Sequence, residues 1–278
     1  MDKQDLQDRF IPHNSSSSLS LIRRACVRVS KGVMGVTVLV VICAAYSLWI
    51  EPHWLVVRHI SVKTPVTVRV IHITDIHYHG EREYLNRVVD RINRIPADLV
   101  CFTGDLVEDR GCLRECLEIL TRVNKPMVGI AGNHDLWAQV PVDELRAGFA
   151  KTGGLWLTDT NVLLLDGKVE IVACSGDPGR VPKSRLSESA KRVLLTHYPG
   201  LVEGLQGQVF DLILAGHSHG GQVRIPLIGH LIMPFSVKPY DVGLFQTPAG
   251  PLYVNPGIGT FYLKARFFCR PEITVLEF

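Results

Sequence analysis

The chain has 278 residues, which is long enough for one domain with a well-buried core. Its formal net charge of +3 is too small to indicate a nucleic-acid partner, and none is expected. The seven cysteines show neither the spacing of a zinc site nor the framework of a disulfide-rich secreted domain. Cys112 and Cys116 would share one helix face, where small buried thiols are the favoured interpretation.

The N-terminal region contains an apolar segment. Residues 33–50 carry no charge, and such a run is long enough to cross a bilayer as a helix with Trp49 at the interface. We therefore expect a disordered, basic cytoplasmic tail over residues 1–32 and a transmembrane anchor or signal-anchor over residues 33–50. A single domain over residues 51–278 would follow. A buried core helix is the alternative interpretation of the apolar run.

This pattern predicts a single-pass protein of the cell membrane. Four basic residues precede the apolar run, and the positive-inside tendency places the N-terminus in the cytoplasm; they are Arg23, Arg24, Arg28 and Lys31. The paired arginines also loosely resemble a twin-arginine export signal. An odd number of scattered thiols instead favours a reducing compartment for the domain. The side of the membrane that carries the domain therefore stays open.

From Val68 onward, apolar strands alternate with amphipathic helices. Strands are predicted over residues 68–73, 98–102, 126–130, 193–195 and 211–215, and helices over 81–94, 113–123 and 143–151. An Asp166-Gly167 turn predicts a hairpin between residues 162–165 and 169–172. This alternation predicts an α/β sheet, in which polar residues at strand ends hold ligands.

Five of the predicted strands end in side chains that commonly bind metals. These are Asp75 and His77, then Asp105, then Asn133 and His134, then His197, and finally His217 and His219. Even seven of these eight side chains would be too many ligands for one zinc ion, whereas one carboxylate can bridge two ions. Mixed nitrogen and oxygen donors without thiolate suit manganese, iron or zinc. The strand ends therefore predict two divalent metal ions of undetermined identity.

These motifs resemble the calcineurin-like metallophosphoesterase superfamily. The resemblance is carried by Asp75-x-His77, Gly104-Asp105, Gly132-Asn133-His134-Asp135, His197 and Gly216-His217-Ser218-His219. It implies the metallo-dependent phosphatase fold, a four-layer α-β-β-α sandwich of two mixed sheets, here preceded by one transmembrane helix. It also implies that Asp75, His77 and His219 hold one metal, that Asn133, His197 and His217 hold the other, and that Asp105 bridges them.

The resemblance further implies a mechanism. A hydroxide shared by the metals attacks phosphorus, and His134 stabilises or protonates the leaving oxygen while Asp135 orients His134. Protein phosphatases of the superfamily carry an arginine where this chain has Ala131, so phosphoprotein hydrolysis is disfavoured. Besides phosphodiester or pyrophosphate hydrolysis, two functions stay open, namely phosphomonoester hydrolysis and a non-catalytic metal-binding scaffold.

The closer resemblance is to membrane-anchored bacterial phosphodiesterases, whose branch includes the UDP-diacylglucosamine pyrophosphatases of lipid A synthesis. It rests on residues 220–226, Tyr240 and residues 269–272. It implies a phosphodiester or pyrophosphate substrate and, more specifically, one that is linked to a lipid. Candidate substrate-binding residues are the basic Arg180, Lys183, Arg185 and Arg224. The apolar stretch 225–235 is predicted to be buried core, with insertion into lipid as the alternative.

Overall fold

The chain forms two compact units, one up to Tyr46 and the other from Ser47 to Phe278. A computed structural model describes residues 15–62 and 68–278, without the side chains of residues 15–22, 25, 26 and 29. The first unit is helix α1 (Ser15–Ala45), after which the chain continues as a π-turn (Tyr46–Ile50) and a 3₁₀ turn (Glu51–His53). By length and composition, Ser30–His53 is a 24-residue segment apolar enough to cross a membrane.

The second unit is built on two six-stranded mixed sheets. The first sheet contains β1 (Val56–Ser61), β2 (Arg69–Ile73), β3 (Leu99–Phe102), β4 (Met127–Gly129), β5 (Leu155–Trp156) and β14 (Glu272–Glu277). Its order is β1-β14-β2-β3-β4-β5, with β2 to β5 parallel and β14 antiparallel to β2.

The second sheet has a parallel centre and an antiparallel strand pair at each edge. It contains β6 (Asn161–Leu164), β7 (Val169–Cys174), β8 (Lys191–Thr196), β9 (Leu212–Ala215), β12 (Gly243–Thr247) and β13 (Gly250–Val254). Its order is β12-β13-β9-β8-β7-β6, with β7, β8, β9 and β13 parallel. The predicted hairpin is the β6–β7 pair, in which Leu164 faces Val169. A separate ribbon joins β10 (Arg224–Ile225) to β11 (Gly229–His230).

Alternating side chains on the strands build separate cores on the two faces of each sheet. Between the sheets, Val70 and Cys101 of the first sheet pack with Ile171 and Leu214 of the second. On the outer face of the first sheet, Phe102 and its neighbours pack against α2 (Arg82–Asn93), α3 (Leu113–Leu120) and α5 (Val142–Ala150). The two facing mixed sheets expected from the sequence are therefore confirmed.

Three details differ from the sequence-based expectation. The outer face of the second sheet is covered by a 3₁₀ helix (Pro199–Gly204) and irregular segments, where a four-layer sandwich would have α-helix. The tail predicted as disordered is helical from Ser15 onward, while residues 1–14 lie outside the described part. A short helix, α4 (Asn133–Trp137), begins at the predicted ligand Asn133, where no helix was predicted.

The stretch 225–235 was predicted to be buried, and this prediction is wrong. Leu227 and Ile228 form the tip of the β10–β11 ribbon, and Ile232 lies 79% exposed in the loop that follows. A two-stranded ribbon with a two-residue ladder cannot bury both of its faces, and Leu227 and Ile228 at its tip are 108% and 74% exposed. Within the part of the chain that the structure describes, this stretch is a large apolar surface in contact with solvent.

Candidate metal centre

The carboxyl ends of the central parallel strands meet at one edge of the two sheets. Asp75 and His77 follow β2, Asp105 follows β3, His197 follows β8, and His217 and His219 follow β9. Asn133 begins α4, shortly after β4 ends. The backbone N–H of His217 donates to both carboxylate oxygens of Asp75 at 3.1 and 3.0 Å, which joins the end of one sheet to the end of the other. All seven predicted ligands are buried.

The first group of side chains faces inward through imidazole nitrogens and carboxylates. The Nε2 atoms of His77 and His219 lie 3.0 Å apart. His219 Nε2 is 3.3 Å from Asp75 Oδ1, and His77 Nε2 is 3.5 Å from Asp105 Oδ2. The Nδ1 atom of His77 is hydrogen-bonded to Glu108, so Nε2 of the neutral ring carries the lone pair.

The second group shares Asp105 with the first. His197 Nε2 lies 3.2 Å from Asp105 Oδ2, 3.0 Å from Asn133 Oδ1 and 3.1 Å from His217 Nδ1. His197 Nδ1 donates to the Thr103 carbonyl at 2.7 Å, and His217 Nε2 donates to the Phe235 carbonyl at 3.0 Å. In the neutral rings, these two bonds leave His197 Nε2 and His217 Nδ1 as facing lone pairs.

Facing lone pairs next to a carboxylate repel one another unless a proton or a cation lies between them. Each group combines nitrogen and oxygen donors without thiolate, which suits divalent manganese, iron or zinc. Carbonyls and Glu108 hold the outer nitrogens of three of the four histidines, as acceptors do around metal-binding imidazoles. The residues present therefore fit two divalent ions that share Asp105.

The backbone at these residues adopts a conformation that side chains rarely take. Five of the seven predicted ligands have positive φ, between 43° and 65°; they are Asp75, His77, Asp105, His217 and His219. A residue held in this region costs on the order of 1–3 kcal/mol, so the surrounding packing must impose it. A Cβ on Gly216 would overlap the side chain of Thr74 and the carboxylate of Asp75. The strand ends are therefore shaped for the convergence of these side chains.

Without a bound metal, the buried carboxylates favour the doubly protonated, cationic form of two of the histidines. Burial by itself lowers the pKa of His77, but Asp75, Glu108 and Asp105 outweigh it and raise the pKa to about 10. Burial likewise opposes the rise in the pKa of His197, which Asp105 brings to about 9. Burial lowers the pKa of His219 to about 3. Protonated His77 and His197 thus balance the buried carboxylates of Asp75 and Asp105.

Glu108 is the carboxylate that orients His134, and sequence reasoning did not identify it. His134 Nδ1 donates to Glu108 Oε2 at 2.8 Å, and Nδ1 of His77 contacts the other oxygen of the same carboxylate. The signal in the sequence is an acidic residue three positions after Asp105.

Asp135 does not orient His134 as expected. Its carboxylate accepts from the backbone N–H groups of Asp105, Leu106 and Gly132 at 2.8–2.9 Å. Three backbone donors occupy the two oxygens, because α4 turns the Asp135 side chain back toward the end of β3. Asp135 therefore holds the loop that carries Asp105, and none of these three hydrogen bonds involves His134.

A cavity of about 510 Å³ opens over the two groups of ligands. Its floor includes Asp105, Asn133, His134, His217 and His219, and its walls include Trp137, Leu231, Ile232, Phe235, Phe261, Tyr262 and Leu263. The Phe261 ring stacks on His77 with ring centroids 5.5 Å apart, and it meets His134 edge-on at 4.6 Å. The site is thus a polar floor enclosed by apolar walls.

The basic residues proposed to bind substrate do not line this cavity. Arg180 pairs with Asp159 at 3.3 Å, and Arg185 pairs with Glu188 at 3.7 Å. Arg224 donates to Asp241 at 3.0 Å and to the Gly220 carbonyl at 2.8 Å. Lys183 is exposed and likewise absent from the walls. None of these four residues is therefore part of the cavity wall, and their assignment to substrate binding stays a prediction.

Comparison with known proteins agrees with this geometry. The family profile of calcineurin-like phosphoesterases matches residues 68–221. An uncharacterized metallophosphoesterase of Bacillus subtilis, YkuE, is 29% identical over 83% of this chain and 87% of its own length. The phosphodiesterase YaeI of Escherichia coli is 28% identical over 84% of this chain and 91% of its own length. The chain therefore belongs to the calcineurin-like phosphoesterase family and is a metal-dependent phosphoester hydrolase.

Proposed function

We propose that the protein hydrolyses phosphodiester or pyrophosphate bonds with two divalent metal ions. The observation that carries this proposal is the pair of ligand groups that share Asp105, with His134 beside them on the floor of the cavity. Two divalent ions in place of the two histidine protons would give this floor an excess of positive charge. Such a floor favours a phosphoryl group, whose charge grows during substitution.

Asp75, His77 and His219 would hold one ion, and Asn133, His197 and His217 would hold the other, with Asp105 between them. When bound, such ions act as Lewis acids on phosphoryl oxygens and lower the pKa of water. Glu108 and the carbonyls of Thr103 and Phe235 keep the histidine lone pairs turned inward. Asp135 fixes the Asp105 loop, so binding of both ions would depend on its three backbone hydrogen bonds.

His134 would act on the leaving group. Glu108 holds its Nδ1, so Nε2 is the nitrogen available to a substrate in the cavity. From this position His134 can stabilise or protonate the leaving oxygen. General acid catalysis of this kind typically raises the rate by about 10²–10⁴-fold. Trp137 and Phe261 pack edge-on against the His134 ring at 4.7 and 4.6 Å and limit its rotation.

More specifically, we propose that the substrate is linked to a lipid. The walls of the cavity are apolar, and the described walls contain no arginine or lysine that would bind a free monoester dianion. The chain also carries a segment long and apolar enough for a membrane span. A nucleotide-linked glycolipid such as UDP-diacylglucosamine, the substrate of one branch that the sequence resembles, combines a pyrophosphate with acyl chains.

The first test is hydrolysis of bis-p-nitrophenyl phosphate beside p-nitrophenyl phosphate. The full chain in detergent is stripped with a chelator and resupplied with manganese, zinc or iron(II). We expect diester cleavage to exceed monoester cleavage, to require metal, and to fall by about 10²–10⁴-fold in His134→Asn without loss of bound metal.

The same assay separates the competing functions. Cleavage of the monoester alone would make the protein a phosphomonoesterase. Bound metal without cleavage of either compound, or of UDP-diacylglucosamine, would favour a non-catalytic scaffold. Turnover of His134→Asn within a few-fold of the unaltered chain would remove His134 from the mechanism.

A further inference from the structure

The mouth of the metal-site cavity is surrounded by exposed apolar side chains from two loops. We name this surface the apolar rim. It consists of Leu227, Ile228, Leu231, Ile232 and Phe235 from the first loop and Tyr262, Leu263 and Phe268 from the second, all between 52% and 108% exposed. Soluble proteins rarely leave so many large apolar side chains together in water, and such patches mark interaction surfaces.

Hydrogen bonds hold the two loops of the apolar rim together as one surface. The side-chain amide of Gln222 donates to the carbonyls of Phe261 and Leu263 at 2.8 and 3.1 Å, and its oxygen accepts from Phe261 N–H at 2.6 Å. Next to these hydrogen bonds of Gln222, the backbone N–H of Arg224 donates to the Phe267 carbonyl at 2.8 Å. The exposed side chains therefore project from a braced scaffold.

The second loop is also bonded to the last residues of the membrane-length segment. The fully buried carboxylate of Glu51 accepts from the backbone N–H groups of Phe268 and Cys269 at 2.9 and 2.5 Å. Ser47 contributes its carbonyl to Arg266 N–H at 2.9 Å. Around these bonds, Trp49 and Trp54 are 69% and 50% exposed, as aromatic side chains are at a bilayer interface.

We propose that the apolar rim inserts into the surface of the bilayer in which the segment Ser30–His53 resides. The bilayer is favoured over a protein partner because the rim loop is bonded directly to the end of that segment. If the segment crosses a membrane, Glu51 and the residues it binds lie at the membrane surface. The rim would then replace contact with water by contact with acyl chains.

The position of the rim determines how a substrate reaches the site. Five rim residues also form walls of the cavity; they are Leu231, Ile232, Phe235, Tyr262 and Leu263. A lipid could therefore place its phosphate over the metal ligands while its chains remain in the bilayer. This consequence for the substrate rests on the proposed hydrolase function, whereas insertion of the rim does not.

Insertion is tested on the full chain in phosphatidylcholine vesicles. An environment-sensitive fluorescent amino acid replaces Ile228 in one protein and Leu186 in a control, since Leu186 is an exposed apolar residue outside the rim. We expect doxyl-labelled lipids to quench the fluorophore at position 228 and not at position 186. Equal quenching at the two positions would overturn the proposal. So would a signal at position 228 that follows protein density instead of quencher, because a second copy would then cover the rim.

Access is tested with two substrates that release the same chromophore. One is the p-nitrophenyl ester of dioleoyl phosphatidic acid in vesicles, and the other is water-soluble bis-p-nitrophenyl phosphate. Leu227→Asn with Ile228→Gln removes apolar surface at the ribbon tip, where φ of Leu227 is 71° and asparagine tolerates it. The control is Leu186→Asn with Val209→Gln, two exposed apolar residues outside the rim.

We expect the rim variant to lose roughly tenfold or more in hydrolysis of the lipid ester, with unchanged hydrolysis of the soluble diester. The control variant should keep both rates. Equal loss on both substrates would place the rim in the chemistry of the site and overturn a docking role. If the unaltered chain cleaves neither substrate, the proposed hydrolase function fails, and the quenching experiment still decides whether the rim inserts.

Discussion

Glu108→Gln isolates the role of the one carboxylate that touches both a predicted ligand and the predicted acid. Glu108 accepts from Nδ1 of His77 and, at 2.8 Å, from Nδ1 of His134. A carboxylate offers an acceptor oxygen to each ring, whereas glutamine offers one oxygen and one N–H₂ group. The Nδ1–H group of one histidine must then face the N–H₂ group of the glutamine, which is also a donor. That histidine ring will turn or change its tautomer.

The size of the effect follows from which histidine gives way. If His77 changes tautomer, its Nε2 loses the lone pair that faces Asp105 and His219, and metal affinity falls. If His134 turns, metal stays bound and kcat falls. Removal of a group that supports a metal-binding histidine typically costs 10–100-fold, which equals about 1.4–2.7 kcal/mol. We expect a loss of this size in one of the two quantities.

The assay measures metal affinity by competition with a fluorescent chelator, and kcat on bis-p-nitrophenyl phosphate at saturating metal. Glu118→Gln is the matched control, because Glu118 is 69% exposed and pairs only loosely with Arg82 at 3.6 Å. The control should leave both quantities unchanged. Metal affinity and kcat of Glu108→Gln that both stay within twofold of the unaltered chain would refute the reasoning.

Two further predictions concern the metal ligands. Gly216→Ala places a Cβ against the Asp75 carboxylate and should abolish stoichiometric metal binding in equilibrium dialysis, whereas Gly179→Ala, whose Cβ would lie 3.2 Å from a flexible side chain, should not. Metal loading at pH 7 should release about two protons, because His77 and His197, with pKa values of about 10 and about 9, must lose theirs to bind. Affinity should therefore rise with pH up to about 10, less steeply above about 9, where His197 has already lost its proton. Calorimetry in buffers of different ionisation enthalpy counts the protons, and release of none would contradict the assignment.

Local patterns in the sequence predicted most of the elements. Predicted helices over 81–94, 113–123 and 143–151 correspond to α2, α3 and α5, because their apolar residues recur at helical spacing and pack on one sheet. The ends of the strands could be predicted equally well, since an apolar run that stops at aspartate, asparagine or histidine places a polar side chain at the edge of a sheet. The convergence of all seven predicted ligands agrees with this interpretation.

Long-range arrangements were outside the reach of local patterns. The C-terminal strand β14 inserts between β1 and β2, although some two hundred residues of chain separate it from either of them. The stretch 225–235 is apolar enough for a core, yet its two-residue ribbon leaves it exposed. Hydropathy reports what a segment could bury, and only the packing of other elements decides whether it is buried.

The sequence by itself determined the chemistry, because the type of each donor and its place at the end of an apolar strand are local properties. Tertiary structure alone decided which carboxylate accepts the hydrogen bond of His134. Glu108 and Asp135 each lie six residues after a strand, β3 and β4 respectively, and only Asp135 was expected to orient His134. The fold turned Asp135 back onto three backbone N–H groups and placed Glu108 against His134, since hydrogen-bond partners are set by the backbone that surrounds each side chain.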